Sequence, residues 1–292
     1  MPNTHLHHPE DLILSGDLTV LTDLYGELTV TAKIDGCPAI VWGPHPETKQ
    51  FFVSTKSAFN KKKFKFCYTL DDIRHHFSGQ QNLIDILWSA LRNLPRTDKI
   101  YQGDVIGLGG DIIYTPNTLT YEFPTRVKQH LVIAPHTYYT GDYLPTADPH
   151  PLTEQLESTK TVLFVQPTVD RVPLKMNSFA ITGVKGLAPK EHAEAMKQIN
   201  KLIRDGVPLL RGTLLPILKD DILVDMFLFT VMAKQEVMKN LIVYDSPKCY
   251  LPSGERVPAE GFVVTTPSGR MFKLVDRTKF SVHNFNNGRF SS

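Results

Sequence analysis

The tetrad Lys33-Ile34-Asp35-Gly36 stands between two apolar runs, LTVTA and PAIVW, in which β-branched residues alternate with smaller or polar ones. That alternation reads as two strands with the tetrad at their junction. A lysine at a strand end among apolar neighbours is partly desolvated, which frees some of its amine to attack an electrophile. Gly36 suits a tight turn and a close backbone approach to a phosphate-sized ligand beside the lysine. The plainer reading is an ordinary hairpin with an exposed lysine and an Asp-Gly turn. Such a tetrad arises by chance in on the order of one in fifteen chains of this length, so the rest of the sequence has to decide.

Other residues able to do chemistry recur at strand edges. Lys56 lies in Ser54-Thr55-Lys56-Ser57, Asp104 ends Tyr101-Gln102-Gly103-Asp104, and His136-Thr137-Tyr138 closes an apolar run that starts near residue 130. Glu260 opens Glu260-Gly261-Phe262-Val263-Val264, and Lys273 sits inside Phe272-Lys273-Leu274-Val275. Taken singly, each acid is a turn residue and each lysine a solvent-facing strand residue. The run Lys61-Lys62-Lys63-Phe64-Lys65-Phe66 interleaves cations with rings. It reads either as a patch for phosphates and stacked bases or as the solvated face of a loop or strand.

The elements that position these residues are legible in outline. Residues 11–34 give short apolar runs broken by Gly16 and Gly26, leading into the lysine strand. A hairpin joins the strand at 38–42 to one at 51–54. Leu83, Ile84, Leu87, Trp88 and Leu91 share one helical face. Residues 141–151, rich in Pro, Gly and Asp, read as a linker. Helical spacing governs 191–204 and 213–240, and β-type alternation returns after residue 240. The expected organisation is therefore a domain from 1–150 and 241–292 interrupted by a mainly helical insertion at 151–240.

Composition bounds the compartment and the partners. A net charge of +2 excludes a globally basic nucleic-acid binder, so any basic surface is local. Three dispersed cysteines argue against a disulfide framework and for a reducing, cytoplasmic setting. No apolar run approaches the ~18 residues of a membrane span, and the start has neither the basic region nor the apolar core of a signal peptide. No membrane association is expected. His5, His7 and His8 read as a mobile terminus rather than a metal site.

The ordered set of strand-edge motifs resembles the covalent nucleotidyltransferase superfamily of ATP-dependent DNA ligases, RNA ligases and mRNA capping enzymes. The likeness covers residues 29–143 and 241–280 and leaves out the helical insertion. The stretch GDIIYTPNTLTYEF is most similar to the phage RNA-ligase branch and to proteins of tailed phages. The resemblance implies an α+β, ATP-grasp-like fold in which two antiparallel sheets flank a nucleotide cleft. It also implies an ATP-dependent polynucleotide ligase, RNA ends preferred, located in the host cytoplasm if phage-encoded.

Carried over position by position, the resemblance makes Lys33 the nucleophile that takes AMP from ATP, with Ile34, Asp35 and Gly36 around it. Lys56 stands where the family contacts the nucleotide. Asp104, in place of the usual glutamate, meets the ribose or Mg²⁺ (or Mn²⁺), and Glu260 is the second metal carboxylate. His136 or Tyr138 flanks the adenine, and Lys273 stabilises charge on the α-phosphate. Lys61, Lys62, Lys63 and Lys65 would engage a nucleic acid bearing 5′-phosphate and 3′-hydroxyl ends. Two departures stand out. Val275 occupies the position of a second family lysine, and the chain has no room after residue 280 for an oligonucleotide-fold domain. Arg277 is the expected substitute cation. The rival functions are transfer to another acceptor, such as a DNA nick or a GTP-derived cap, and a phage binding or structural protein that keeps the fold without turnover.

Overall fold

The computed structural model describes residues 6–174 and 184–280, so His5 and the tail beyond Phe280 lie outside the described residues. The chain opens with α1 (Pro9–Leu14), α2 (Thr19–Tyr25), β1 (Thr29–Lys33), β2 (Ala39–Pro44) and β3 (Phe51–Thr55). Next come α3 (Leu70–His76), α4 (Gln81–Asn93), β4 (Ile100–Leu108), β5 (Ile113–Tyr114), β6 (Thr120–Glu122) and β7 (Leu131–Thr140). Then follow β8 (Asp148–Pro151), β9 (Val162–Phe164), β10 (Thr168–Arg171), α5 (Pro189–Arg204), α6 (Arg211–Leu218) and α7 (Asp221–Lys239). The closing strands are β11 (Leu241–Tyr244), β12 (Lys248–Tyr250), β13 (Arg256–Val257), β14 (Gly261–Thr265) and β15 (Met271–Leu274). The class is α+β; the pairs β2–β3, β2–β4, β4–β7, β7–β8 and β14–β15 are antiparallel and β7–β9 is parallel.

Local signals explain most boundaries. Thr69 caps α3 by accepting the Asp72 N–H, while the Asp72 carboxylate accepts the N–H of Thr69. In α4, Ile84, Leu87 and Leu91 are buried on one face, as their spacing requires. The single helical run expected at 213–240 is two helices. Lys219 at φ 56° ends α6 in the left-handed region, and the Asp220 carboxylate caps α7 by accepting the Leu223 N–H at 2.9 Å. Residues 141–151 are not a bare linker, because β8 pairs with β7 from Thr137–Pro151 to Thr140–Asp148.

Compact units divide the chain differently from the expected insertion. Among the described residues, one unit comprises 33–167 and 245–259, and the other 6–32, 168–174, 184–244 and 260–280. In the first, β4 lies mid-sheet in the order β3-β2-β4-β7-β8, with β9 added beside β7, and a smaller sheet runs β13-β12-β6-β5. Ile40, Trp42, Tyr101, Val105 and Ile133 form a core with Ile84 and Leu87 of α4, while Val41, Phe52, Ile100 and Tyr139 pack with Leu144 in a separate cluster. In the second unit the sheet β1-β14-β15 buries Phe262, Val264, Phe272 and Leu274 with residues of α1, α2, α5, α6 and α7. The helices of 189–239 thus share a core with the N-terminal helices and the last strands instead of standing alone.

Candidate functional site

Lys33 is the last residue of β1, and its side chain is 30% exposed. Its Nζ lies 3.6 Å from Asp35 Oδ1. Asp35 is itself held from two sides. Asn117 Nδ2 donates to Asp35 Oδ2 at 2.6 Å, and the Asp35 backbone N–H donates to the hydroxyl of the fully buried Tyr121 at 2.9 Å. Both partners come from the 110–123 stretch, Asn117 from the turn between β5 and β6 and Tyr121 from β6. Sequence reading missed them, because contacts made across more than eighty residues leave no local signal.

Gly36 differs from its expected use. A Cβ there would meet the Val105 carbonyl oxygen at 2.5 Å, and its φ is not in the left-handed region. Glycine is needed because the β4 backbone occupies the space, and no left-handed turn requires it. Cys37 N–H donates to that same carbonyl at 2.9 Å, tying the tetrad to β4. Ile34 is buried to 5% exposure, so its side chain serves the core.

Asp104 arrives on β4, opposite Ala39 of β2 and Ala134 of β7. His136 Nε2 lies 3.7 Å from Asp104 Oδ1, and its Nδ1 lies 2.7 Å from Thr137 Oγ1. Burial, then the negative charges of Asp104 and Asp35, push the Cys37 thiol pKa up, which brings both carboxylates electrostatically close to that residue. The unit therefore gathers Lys33, Asp35 and Asn117 into one hydrogen-bonded and ion-paired group, and pairs Asp104 with His136. Of the two rings considered for a base, Tyr138 is already stacked on His150 at 4.9 Å with the Lys99 ammonium 5.0 Å from its centroid. His136, at 40% side-chain exposure, is the more accessible.

Lys56 is exposed at the head of a 3-10 turn, Lys56–Phe59, after β3. Lys61, Lys62 and Lys63 are exposed in the loop that follows. Lys65 departs from the expected phosphate patch: its Nζ donates to the His76 carbonyl at 3.0 Å and sits 4.7 Å from the Phe77 centroid.

Glu260 and Lys273 belong to the other unit. Glu260 immediately precedes β14, and Lys273 on β15 pairs with Val263, its backbone N–H donating to the His7 carbonyl at 3.0 Å. Val275 is 7% exposed, and a Cβ on Gly261 would approach its Cγ2 to 2.7 Å, so this position belongs to the core. Arg277 is not a spare cation. It is 7% exposed, donates to Asp11 at 2.7 Å and to Asn200, and lies 3.5 Å from Glu10, which Lys234 contacts at 2.5 Å. Two buried acids and two buried bases thereby offset one another. His8, also in this cluster, has its pKa pushed far below the usual value, first by burial and then by the Arg277 and Lys234 charges.

Among the described residues no group of three or more His, Cys, Asp or Glu is assembled to hold a metal ion. No helix of the described chain is long and apolar enough to cross a membrane. A family model described as a family of unknown function (DUF6267) matches residues 3–209 and 219–289. No curated protein and no solved structure matches the chain.

Proposed function

The chain belongs to the DUF6267 family, and we propose that it is an ATP-dependent polynucleotide ligase, RNA ends preferred, working through a lysyl-AMP intermediate. The observation that carries this reading is the Lys33–Asp35 pair, with Asp35 fixed by Asn117 and Tyr121. A nucleophile needs a defined position and a group to receive its proton. The 3.6 Å distance to Asp35 supports that carboxylate as the group that would take the proton.

In the proposed first step the Lys33 amine attacks the α-phosphorus of ATP. A P–N bond forms, the bond to the β-phosphate oxygen breaks, pyrophosphate leaves, and the amine sheds a proton toward Asp35. A 5′-phosphate oxygen then takes the AMP from Lys33, and a 3′-hydroxyl displaces AMP to seal the ends. Asp104, in the unit that holds Lys33, would meet Mg²⁺ or Mn²⁺ beside the phosphates, an ion that neutralises phosphate charge. Lys56 would contact the nucleotide and His136 would flank the base, while the metal role of Glu260 and the α-phosphate role of Lys273 are what the resemblance implies. Lys61, Lys62 and Lys63 would meet the polynucleotide.

A second reading draws on Val275 and Arg277. With the one buried and the other engaged in ion pairs, neither supplies the extra phosphate-side cation, which favours a binding protein that keeps the site without turnover. Incubation with α-labelled ATP or GTP and Mg²⁺, without acceptor, separates the two. The ligase reading expects a covalent label from ATP that is absent in Lys33→Arg, because arginine stays protonated. A label from GTP alone would point to capping chemistry. Label retained in Lys33→Arg would remove Lys33 from the mechanism, and no label on the parent would favour the binding protein.

A further inference from the structure

The loop after β3 ends a ladder of rings. Phe52, fully buried on β3, meets Phe66 edge-on with centroids 4.9 Å apart, and Phe66 lies nearly parallel to Phe64 at 5.8 Å and 17°. Phe64 in turn meets Tyr143 at 6.0 Å and 77°. His45 closes on Phe66 from its own direction, edge-on at 4.7 Å. The inner rungs are packed, yet the outer two are open: Phe64 is 37% exposed and Tyr143 48%. Lys61, Lys62 and Lys63, all exposed, immediately precede Phe64.

These two exposed rings differ from the other exposed apolar side chains of the described residues in being tied through Phe66 to the buried Phe52. Three cations lead directly into them, and Asp142, next to Tyr143 in sequence, offsets only one. Rigid rings beside excess positive charge match a strand of nucleic acid whose bases are unpaired, since a ring can cover a base face only when that face is not already stacked in a duplex. We propose that Phe64 and Tyr143 form a base-stacking platform for single-stranded nucleic acid, with Lys61, Lys62 and Lys63 tracking its phosphates. Lys65, tied to His76 and Phe77, supports the loop from within and makes no phosphate contact. This rests on a polynucleotide being the partner in the ligase reading, and not on the lysyl chemistry.

The test measures binding by fluorescence anisotropy, without nucleotide, to a labelled single-stranded oligonucleotide, to an abasic strand of equal length and charge, and to a duplex. The parent should prefer the strand with bases, and Phe64→Ala with Tyr143→Ala should each weaken it by roughly five- to a hundredfold while leaving abasic binding unchanged. Phe64→Tyr should keep the preference, which separates loss of stacking from loss of the loop. Neutralising Lys61, Lys62 and Lys63 should reduce the slope of log affinity against log salt by about two on all single strands. Equal affinity of the parent for abasic and base-bearing strands would overturn the platform while leaving the polynucleotide partner in place. No binding to any strand would overturn both, and the covalent label from ATP would still report on the lysine chemistry alone.

Discussion

At the scale of single residues, His8 is the titratable group with the clearest consequence. Burial, then Arg277 and Lys234, keep it neutral far below its ordinary pKa of 6.5. As the pH falls below that value, the unfolded chain takes up a proton that the folded chain refuses, so stability is lost with acidification, by up to about 1.4 kcal/mol per pH unit. Asp11 works in the opposite sense. Burial raises its pKa above 3.8, and the folded form binds its proton first, adding stability as the pH falls through the raised value. The two groups pull in opposite directions, so the share of His8 is read as a difference between parent and variant. His8→Gln should make the urea midpoint fall less, or rise more, as the pH drops below 6.5 than it does in the parent, and an identical pH dependence in the two proteins would show that His8 is not the group responsible. The same cluster explains why Arg277 is not available as the substitute cation expected from the ligase resemblance: a guanidinium that neutralises Asp11 and Glu10 inside a core has no charge to spare.

At the scale of elements, the segment from Lys33 to Cys37 lying against β4 sets the geometry of the candidate site. Gly36 lets the tetrad lie against β4, and Asp104 is carried on that same strand. Gly36→Ala puts a methyl group 2.5 Å from the Val105 carbonyl oxygen and 3.2 Å from the Asp104 carbonyl carbon. Backbone cannot yield as a flexible side chain would, so the strand has to move. The expected result is a loss of roughly 1–3 kcal/mol in stability together with loss of the covalent label, although every charged side chain remains. A Gly36→Ala protein that melts and labels like the parent would show that this contact neither strains the segment nor matters to the site.

At the scale of the whole molecule, the chain builds two cores. Trp42 and Trp88 are its only tryptophans, and both lie in the unit built on 33–167, whereas α5, α6 and α7 lie in the other. Tryptophan emission thus reports one unit, and helical circular dichroism weighs toward the other. Phe227, fully buried on α7, packs in the second core. Phe227→Ala should cost about 3–5 kcal/mol there and move the dichroism transition to lower denaturant than the fluorescence transition. If both probes shift equally, the two cores unfold as one cooperative system.

The amino-acid order alone determined what is local. Period-3.6 spacing placed α4 and α5, alternation placed β2 with β3 and β14 with β15, and the expected strand-edge setting holds for Lys33 and Glu260 but not for Asp104, which lies mid-strand in β4, or for Lys273, which lies inside β15. These signals survive because each depends on neighbours a few positions away. Tertiary structure alone decided that Asn117 and Tyr121 hold Asp35, that the β4 backbone leaves no room for a side chain at Gly36, and that Lys65 is tied inside the loop. It also brought Tyr143 to Phe64 and drew the last strands and the 189–239 helices into one core. Each of those outcomes depends on a group brought close by the fold across tens to hundreds of residues, a proximity for which the chain carries no periodic signature.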